Sequence, residues 1–149
     1  MIVKNLLLTL SLTCAVIFAS AGISWGQNVM FDELVKRDGL YYKRFSATPG
    51  VINVPFTGEV RVGRRGGEGL IRDGKREGAW TKYFPNGVLL QKQTYKDGVL
   101  EGPWLIYYVT GQLRSEKTYK EGKLEGPWLH YSVKGELESV ETYKNGILQ

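Results

Sequence analysis

Trp80, Trp104 and Trp128 stand 24 residues apart, and their surroundings recur at the same interval. Glu77-Gly78, Glu101-Gly102 and Glu125-Gly126 precede them, followed by Ala79 in the first unit and by Pro103 and Pro127 in the others. Tyr83, Tyr107 and Tyr131 come after, then Gly87, Gly111 and Gly135, then Leu89, Leu113 and Leu137. Each unit closes on Tyr95-Lys96-Asp97-Gly98, Tyr119-Lys120-Glu121-Gly122 or Tyr143-Lys144-Asn145-Gly146. A fixed period of this length marks stacked supersecondary units, none of which buries a core alone.

The residues within a unit choose strands. Trp104-Leu105-Ile106-Tyr107-Tyr108 is aromatic and branched, which suits a pleated surface. Thr110-Gly111 makes a turn, and the chain returns from Gln112 to Lys120. On that return Leu113, Ser115, Lys117 and Tyr119 share one face, and Arg114, Glu116, Thr118 and Lys120 the other, the period of two of a strand with one solvated side. Asp97-Gly98 and Asn145-Gly146 are strong hairpin signals, because both central residues of that turn need positive φ. The expected fold is all-β: antiparallel β-hairpins on a 24-residue period, joined into an extended meander sheet. Pro103 and Pro127 donate no ladder hydrogen bond, so each Gly-Pro pair predicts a bulge or a strand start. With strands about 4.8 Å apart, equivalent residues of successive hairpins lie roughly 10 Å apart. The Trp, Tyr, Glu and Lys repeats thereby become four ladders.

Upstream of the repeats the chain changes character. Lys4 is followed by an apolar run from Leu6 to Phe18 and by Ala19-Ser20-Ala21, the pattern of a secretory signal. Cleavage is expected after residue 21 or residue 26. The competing reading, an uncleaved anchor, needs a longer apolar run. Cys14 is the only cysteine and lies inside this segment, so the mature chain has no thiol chemistry, as suits an exported protein. Export places the protein in the periplasm or at the envelope. Loss of Lys4 lowers the net charge from +5 to +4, a mild basicity compatible with an anionic partner. Residues 27–38 read as a leader or cap, and 39–149 as repeats, with full units near 75–98, 99–122 and 123–146. Gly39 to Phe45 is the first strand-like run, Ser46 to Pro55 a loop, and Phe56-Thr57-Gly58-Glu59-Val60 opens a shortened unit that regains phase at Arg72-Asp73-Gly74.

The unit Glu-Gly-Pro-Trp, then Tyr, Gly and Leu, then Tyr-Lys-Asp/Glu/Asn-Gly, resembles the MORN-variant repeat. Asp38-Gly39-Leu40-Tyr41-Tyr42-Lys43 and Pro55-Phe56-Thr57-Gly58-Glu59-Val60 extend the likeness to the YwqK-type antitoxin family of bacteria. The resemblance spans residues 38–149 and implies a hairpin-repeat sheet with a non-catalytic binding role, on protein or on membrane lipid.

Candidate chemistry divides along the ladders. Trp80, Trp104 and Trp128, with Tyr107 and Tyr131, serve either as the packing element of each hairpin or as an aromatic strip for a partner or sugar polymer. Arg72, Lys96, Lys120 and Lys144 form a basic ladder, either a solvated face that discourages edge pairing or a contact for anionic lipid. Glu77, Glu101 and Glu125, spaced roughly 10 Å apart, fall at or beyond the range of the paired carboxylates of a glycosidase, and their repetition points to structure. The run Gly63 to Gly69 lacks the following helix of a phosphate-binding loop and reads as turn chemistry. His130 replaces Ile106 of the preceding unit and is a strand residue, with no second imidazole or thiol to build a nucleophile pair or a metal site. No catalytic residue, cofactor, metal or nucleic-acid partner is expected. The expected function is that of an exported, non-enzymatic binding or scaffolding module, its partner a protein or else an anionic lipid or envelope polymer. The rival is an antitoxin or immunity-like protein that neutralises one dedicated toxin.

Overall fold

A computed structural model describes residues 29–43, 54–62 and 66–149. The signal segment and its cleavage positions, and most of the loop expected from Ser46 to Pro55, lie outside the described residues. In chain order the strands are β1 (Val29–Met30), β2 (Leu34–Arg37), β3 (Leu40–Lys43), β4 (Gly58–Arg61), β5 (Gly67–Arg72), β6 (Lys75–Tyr83), β7 (Leu89–Lys96), β8 (Val99–Tyr107), β9 (Leu113–Lys120), β10 (Lys123–Leu124), β11 (Gly126–Tyr131), β12 (Leu137–Lys144) and β13 (Ile147–Leu148). A single turn of 3₁₀-helix at Phe31–Glu33 separates β1 from β2. From β4 onward each strand pairs antiparallel with the next to give one meander, with β10 as a short stub on β9. The all-β hairpin sheet expected from the repeat is what forms.

Two kinds of turn alternate along the sheet. On one edge Asp73-Gly74, Asp97-Gly98, Glu121-Gly122 and Asn145-Gly146 all have positive φ at both positions, the geometry whose twist matches a hairpin. On the other edge the Gly87, Gly111 and Gly135 amides bond the carbonyls of Phe84, Tyr108 and Ser132 at 2.9 Å. The Gly-Pro pairs sit at bulges: Gln93 pairs with Trp104 and Tyr95 with Leu100, so Glu101-Gly102-Pro103 faces Thr94 alone. The missing proline N–H therefore falls where the ladder is already interrupted. The Glu ladder is structural. Glu77, Glu101 and Glu125 each accept, through Oε2, the backbone N–H of Asp97, Glu121 and Asn145, at 2.9, 2.7 and 2.8 Å. Each unit's glutamate thus ties down the left-handed residue of the turn twenty positions later. In the shortened first unit the Thr57 hydroxyl takes that role, accepting from the Asp73 N–H at 2.8 Å.

The core is confined to one end. Val29, Leu34, Phe56, Val60, Ile71 and Trp80 are buried together. They are covered because β1 adds in parallel to β4, and because the β2–β3 hairpin is clipped on by Tyr41 N–H to Gly74 carbonyl at 2.7 Å and Phe56 N–H to Tyr41 carbonyl at 2.9 Å. The boundary expected after Asp38 falls on the turn of that hairpin, since Arg37 pairs with Leu40. Gly67 to Gly69, expected as turn, belongs instead to β5. The reason is steric: a Cβ on Gly69 would lie 2.2 Å from the Trp80 ring, so only glycine lets the indole lie on the strand. Beyond Trp80, only Ser115 of the described residues is buried, and the sheet continues as a single layer with both faces open.

Candidate partner-binding face

Cross-strand register sets the functional geometry. Trp80 pairs with Gln93, Gln93 with Trp104, and Trp104 with Lys117, and further on Trp128 pairs with Glu141. The Lys117 Nζ closes the gap, lying 4.3 Å from the Trp104 ring centre and 4.4 Å from that of Trp128. One row therefore crosses the sheet as Trp80, Gln93, Trp104, Lys117, Trp128 and Glu141. Facing residues in adjacent strands point to the same side, so the row is a continuous stripe.

A second row supports the first. Tyr95, Tyr119 and Tyr143 pair with the bulge glycines Gly78, Gly102 and Gly126. All three glycines have positive φ, as the bulge requires, and each tyrosine ring lies beside the tryptophan of the same unit. The Trp–Tyr centroid distances are 6.1, 5.7 and 6.0 Å, within the range of stabilising aromatic pairs.

The three tryptophans do not share one environment. Trp80 is 5% exposed. Phe31 packs edge-on against it at 5.5 Å, and the Arg76 guanidinium lies 4.6 Å from its ring centre. Arg76 also sits 5.0 Å from Phe31 and 5.2 Å from Tyr95, and its Nη1 donates to the Tyr95 hydroxyl at 3.0 Å. The Trp80 indole N–H donates to the Leu70 carbonyl at 3.2 Å. Trp104 and Trp128 are only half-buried, since no cap segment among the described residues reaches them. The Trp128 indole donates to the Ser115 hydroxyl at 2.6 Å. The Trp104 indole N–H is buried with no partner among the described residues. The packing reading thus holds fully for Trp80 and partly for the other two, which remain accessible.

Electrostatics along the row follow from burial. Lys117 has no carboxylate within ion-pair distance among the described residues, and its burial between indoles lowers its pKa from the usual lysine value. Burial raises the Tyr119 pKa, and proximity to Tyr95 adds to this. The Tyr143 hydroxyl donates to Glu141 at 2.6 Å, which raises its pKa. His130 stacks on Trp128 at 4.8 Å and lies 3.9 Å from Glu141.

The remaining expected site residues stand elsewhere. Arg72, Lys96, Lys120 and Lys144 are all exposed and flank the tight turns, opposite Lys75, Val99, Lys123 and Ile147. Asp73, Asp97 and Glu121 follow them in the turns, and Glu77, Glu101 and Glu125 bond the turn amides. The shallow cleft at this edge is lined by three bases, Arg72, Lys75 and Lys96, and three acids, Asp73, Glu77 and Asp97. Tyr107 and Tyr131 lie three residues along their strands from the tryptophans, toward the other edge, opposite Leu113 and Leu137. There the Tyr131 carbonyl accepts the Tyr108 hydroxyl at 2.8 Å. The structure unites the tryptophans in one row and leaves the basic ladder apart from it. Lys117, Glu141, Tyr119 and Tyr143 were not among the expected site residues. Their signal was present in the 24-residue register of Gln93, Lys117 and Glu141, and in the recurring tyrosines.

Residues 76–97 and 100–121 each match the MORN repeat variant. The chain thus carries repeats of this kind, which points to a repeat-based binding module. No curated protein matches the chain. A chain in the crystal structure of accessory secretory protein 1,2 and 3 in Streptococcus pneumoniae is similar over 86% of this chain, at 15% identity and a TM-score of 0.37. The match spans 22% of that chain and is too distant to bear on function.

Proposed function

We propose that this chain is an exported, non-enzymatic binding module that holds a protein partner of the envelope on one face of its sheet. The observation that carries the reading is the stripe of Trp104, Lys117 and Trp128, which a single-layer sheet leaves partly exposed. Repeat arrays bind through such extended surfaces, with contributions spread over successive units. Export rests on the pattern from Lys4 to Ala21. A catalytic role finds no support in the glutamates, each of which is engaged by a turn amide. An anionic-lipid role for the basic ladder is weakened by the acids interleaved with it, because charges of both signs within a few ångströms cancel at a distance.

The test is capture from envelope extracts by the mature protein, with anionic vesicles as a parallel arm. The reading expects a saturable protein partner, and vesicle binding that is weak and indifferent to joint replacement of Lys96, Lys120 and Lys144 by Gln. Tight vesicle binding lost in that triple variant overturns it in favour of a lipid contact. A single tight partner whose toxicity the protein suppresses refines it to the antitoxin-like form.

A further inference from the structure

The molecule contains its own example of how this aromatic row is covered. Above Trp80 the cover is Phe31, an aromatic side chain on a short segment outside the repeats, and the two following residues are Asp32 and Glu33. Phe31 touches the indole edge-on and also the cation beside it, Arg76. One unit on, tryptophan, tyrosine and a cation again lie together, the cation now from the register position of Gln93, and no cover is present among the described residues. Trp104 and Trp128 are partly exposed, and the cation is Lys117, held between them and 5.7 Å from the Tyr119 ring centre.

Two features of that second site call for an occupant of particular chemistry. An ammonium between two indoles has lost water on two sides and, among the described residues, has gained no carboxylate. Its open side therefore favours an anion. The flanking rings favour an aromatic or apolar knob, since their remaining exposed area is apolar. We infer that the stripe from Trp104 through Lys117 to Trp128 is the docking site for a protein segment presenting an aromatic side chain next to a carboxylate. The ring lies against the indoles as Phe31 lies against Trp80, and the carboxylate pairs with Lys117 Nζ.

The inference rests on the binding-module reading above and sharpens it to one face and one chemistry. The sheet itself indicates which substitutions keep the fold. The register position of Lys117 is occupied by Gln93 one unit earlier and by Glu141 one unit later. Gln and Glu at residue 117 are thus both residues that this repeat already accommodates.

The experiment titrates the full chain with the peptide acetyl-Phe-Asp-Glu-amide and follows the indole N–H resonances of Trp80, Trp104 and Trp128. The expected result is a saturable shift at Trp104 and Trp128, half-complete at about 1 mM as for a single-anchor contact, with Trp80 unmoved because Phe31 already covers it. Lys117→Gln is expected to weaken binding about fivefold, the worth of one partly desolvated charge pair, and Lys117→Glu to abolish it. A peptide with Ala in place of Phe is expected not to bind. Equal binding by the Lys117→Glu chain, or a shift at Trp80 matching the others, overturns the site. So does a neutral oligosaccharide such as chitohexaose that moves the Trp104 and Trp128 resonances when the peptide does not. If the peptide fails while envelope-protein capture persists, this site is wrong and the binding-module reading stands. If both fail, the reading beneath it falls as well.

Discussion

Replacing Trp80 and Trp104 separately by alanine discriminates between a chain stabilised equally in every repeat and one anchored at its capped end. Trp80 is 5% exposed, lies on Gly69, is covered by Phe31 and donates its N–H to Leu70. Removing a buried large aromatic costs about 3–5 kcal/mol. Trp104 is half-buried, which roughly halves that figure. Its buried N–H lacks a partner among the described residues, so deleting it also removes a desolvation penalty of about 1 kcal/mol. The net expectation for Trp104→Ala is about 0.5–1.5 kcal/mol. With a urea dependence of about 1.5 kcal/mol/M for a domain of this size, the Trp80→Ala midpoint falls by about 2 M or more and the Trp104→Ala midpoint by about 1 M at most. Equilibrium urea unfolding followed by far-ultraviolet circular dichroism reads both. Equal losses, or a larger loss at Trp104, would refute the argument that the core resides at the capped end.

Three further outcomes follow from particular contacts. Glu101→Ala frees the Glu121 amide in a left-handed turn and is expected to cost about 1 kcal/mol in urea unfolding. Glu101→Gln, which keeps an acceptor, should cost less, and an Ala variant as stable as wild type would show the glutamate ladder to be incidental. Gly69→Ala forces a Cβ to 2.2 Å from the Trp80 ring and is expected to cost about 1–3 kcal/mol or more, with loss of the near-ultraviolet tryptophan signal; a retained signal and midpoint contradict the close approach. Lys117 is expected to titrate below 10.5 because burial disfavours its charge. Its folded pKa lies below the unfolded one, so the burial penalty is present in full at neutral pH. The penalty is relieved as pH rises through the folded value toward 10.5, and stability gains there. A side-chain NMR titration giving 10.5 or above would contradict the burial.

The strands, both turn classes and the bulges were legible because they are written locally: paired residues with positive φ, period-two alternation, and Gly-Pro where a ladder donor is missing. The role of Glu77, Glu101 and Glu125 was legible only as repetition, since the partner of each carboxylate lies twenty residues onward and on another hairpin. The uneven burial of the tryptophans could not be read from the repeat, because three equivalent positions acquire different surroundings once Val29, Phe31 and Leu34 fold over one end. Gly69 was hidden for a similar reason: its need for no side chain arises from a ring on the next strand. The stripe required register across six strands, which places Gln93 and Lys117 between tryptophans, and Glu141 beside Trp128, none of which they adjoin in sequence.

The central claim is that recognition uses the face bearing Trp104, Lys117 and Trp128. The most direct measurement is saturable capture of envelope protein by the mature chain carrying Lys117→Glu, beside one carrying Lys120→Glu on the opposite face. Both substitutions make the same change of charge three residues apart, and neither position is in the core. The account predicts that Lys117→Glu abolishes capture and Lys120→Glu leaves it as in wild type. Capture retained by Lys117→Glu and lost by Lys120→Glu would place recognition on the basic edge and contradict it.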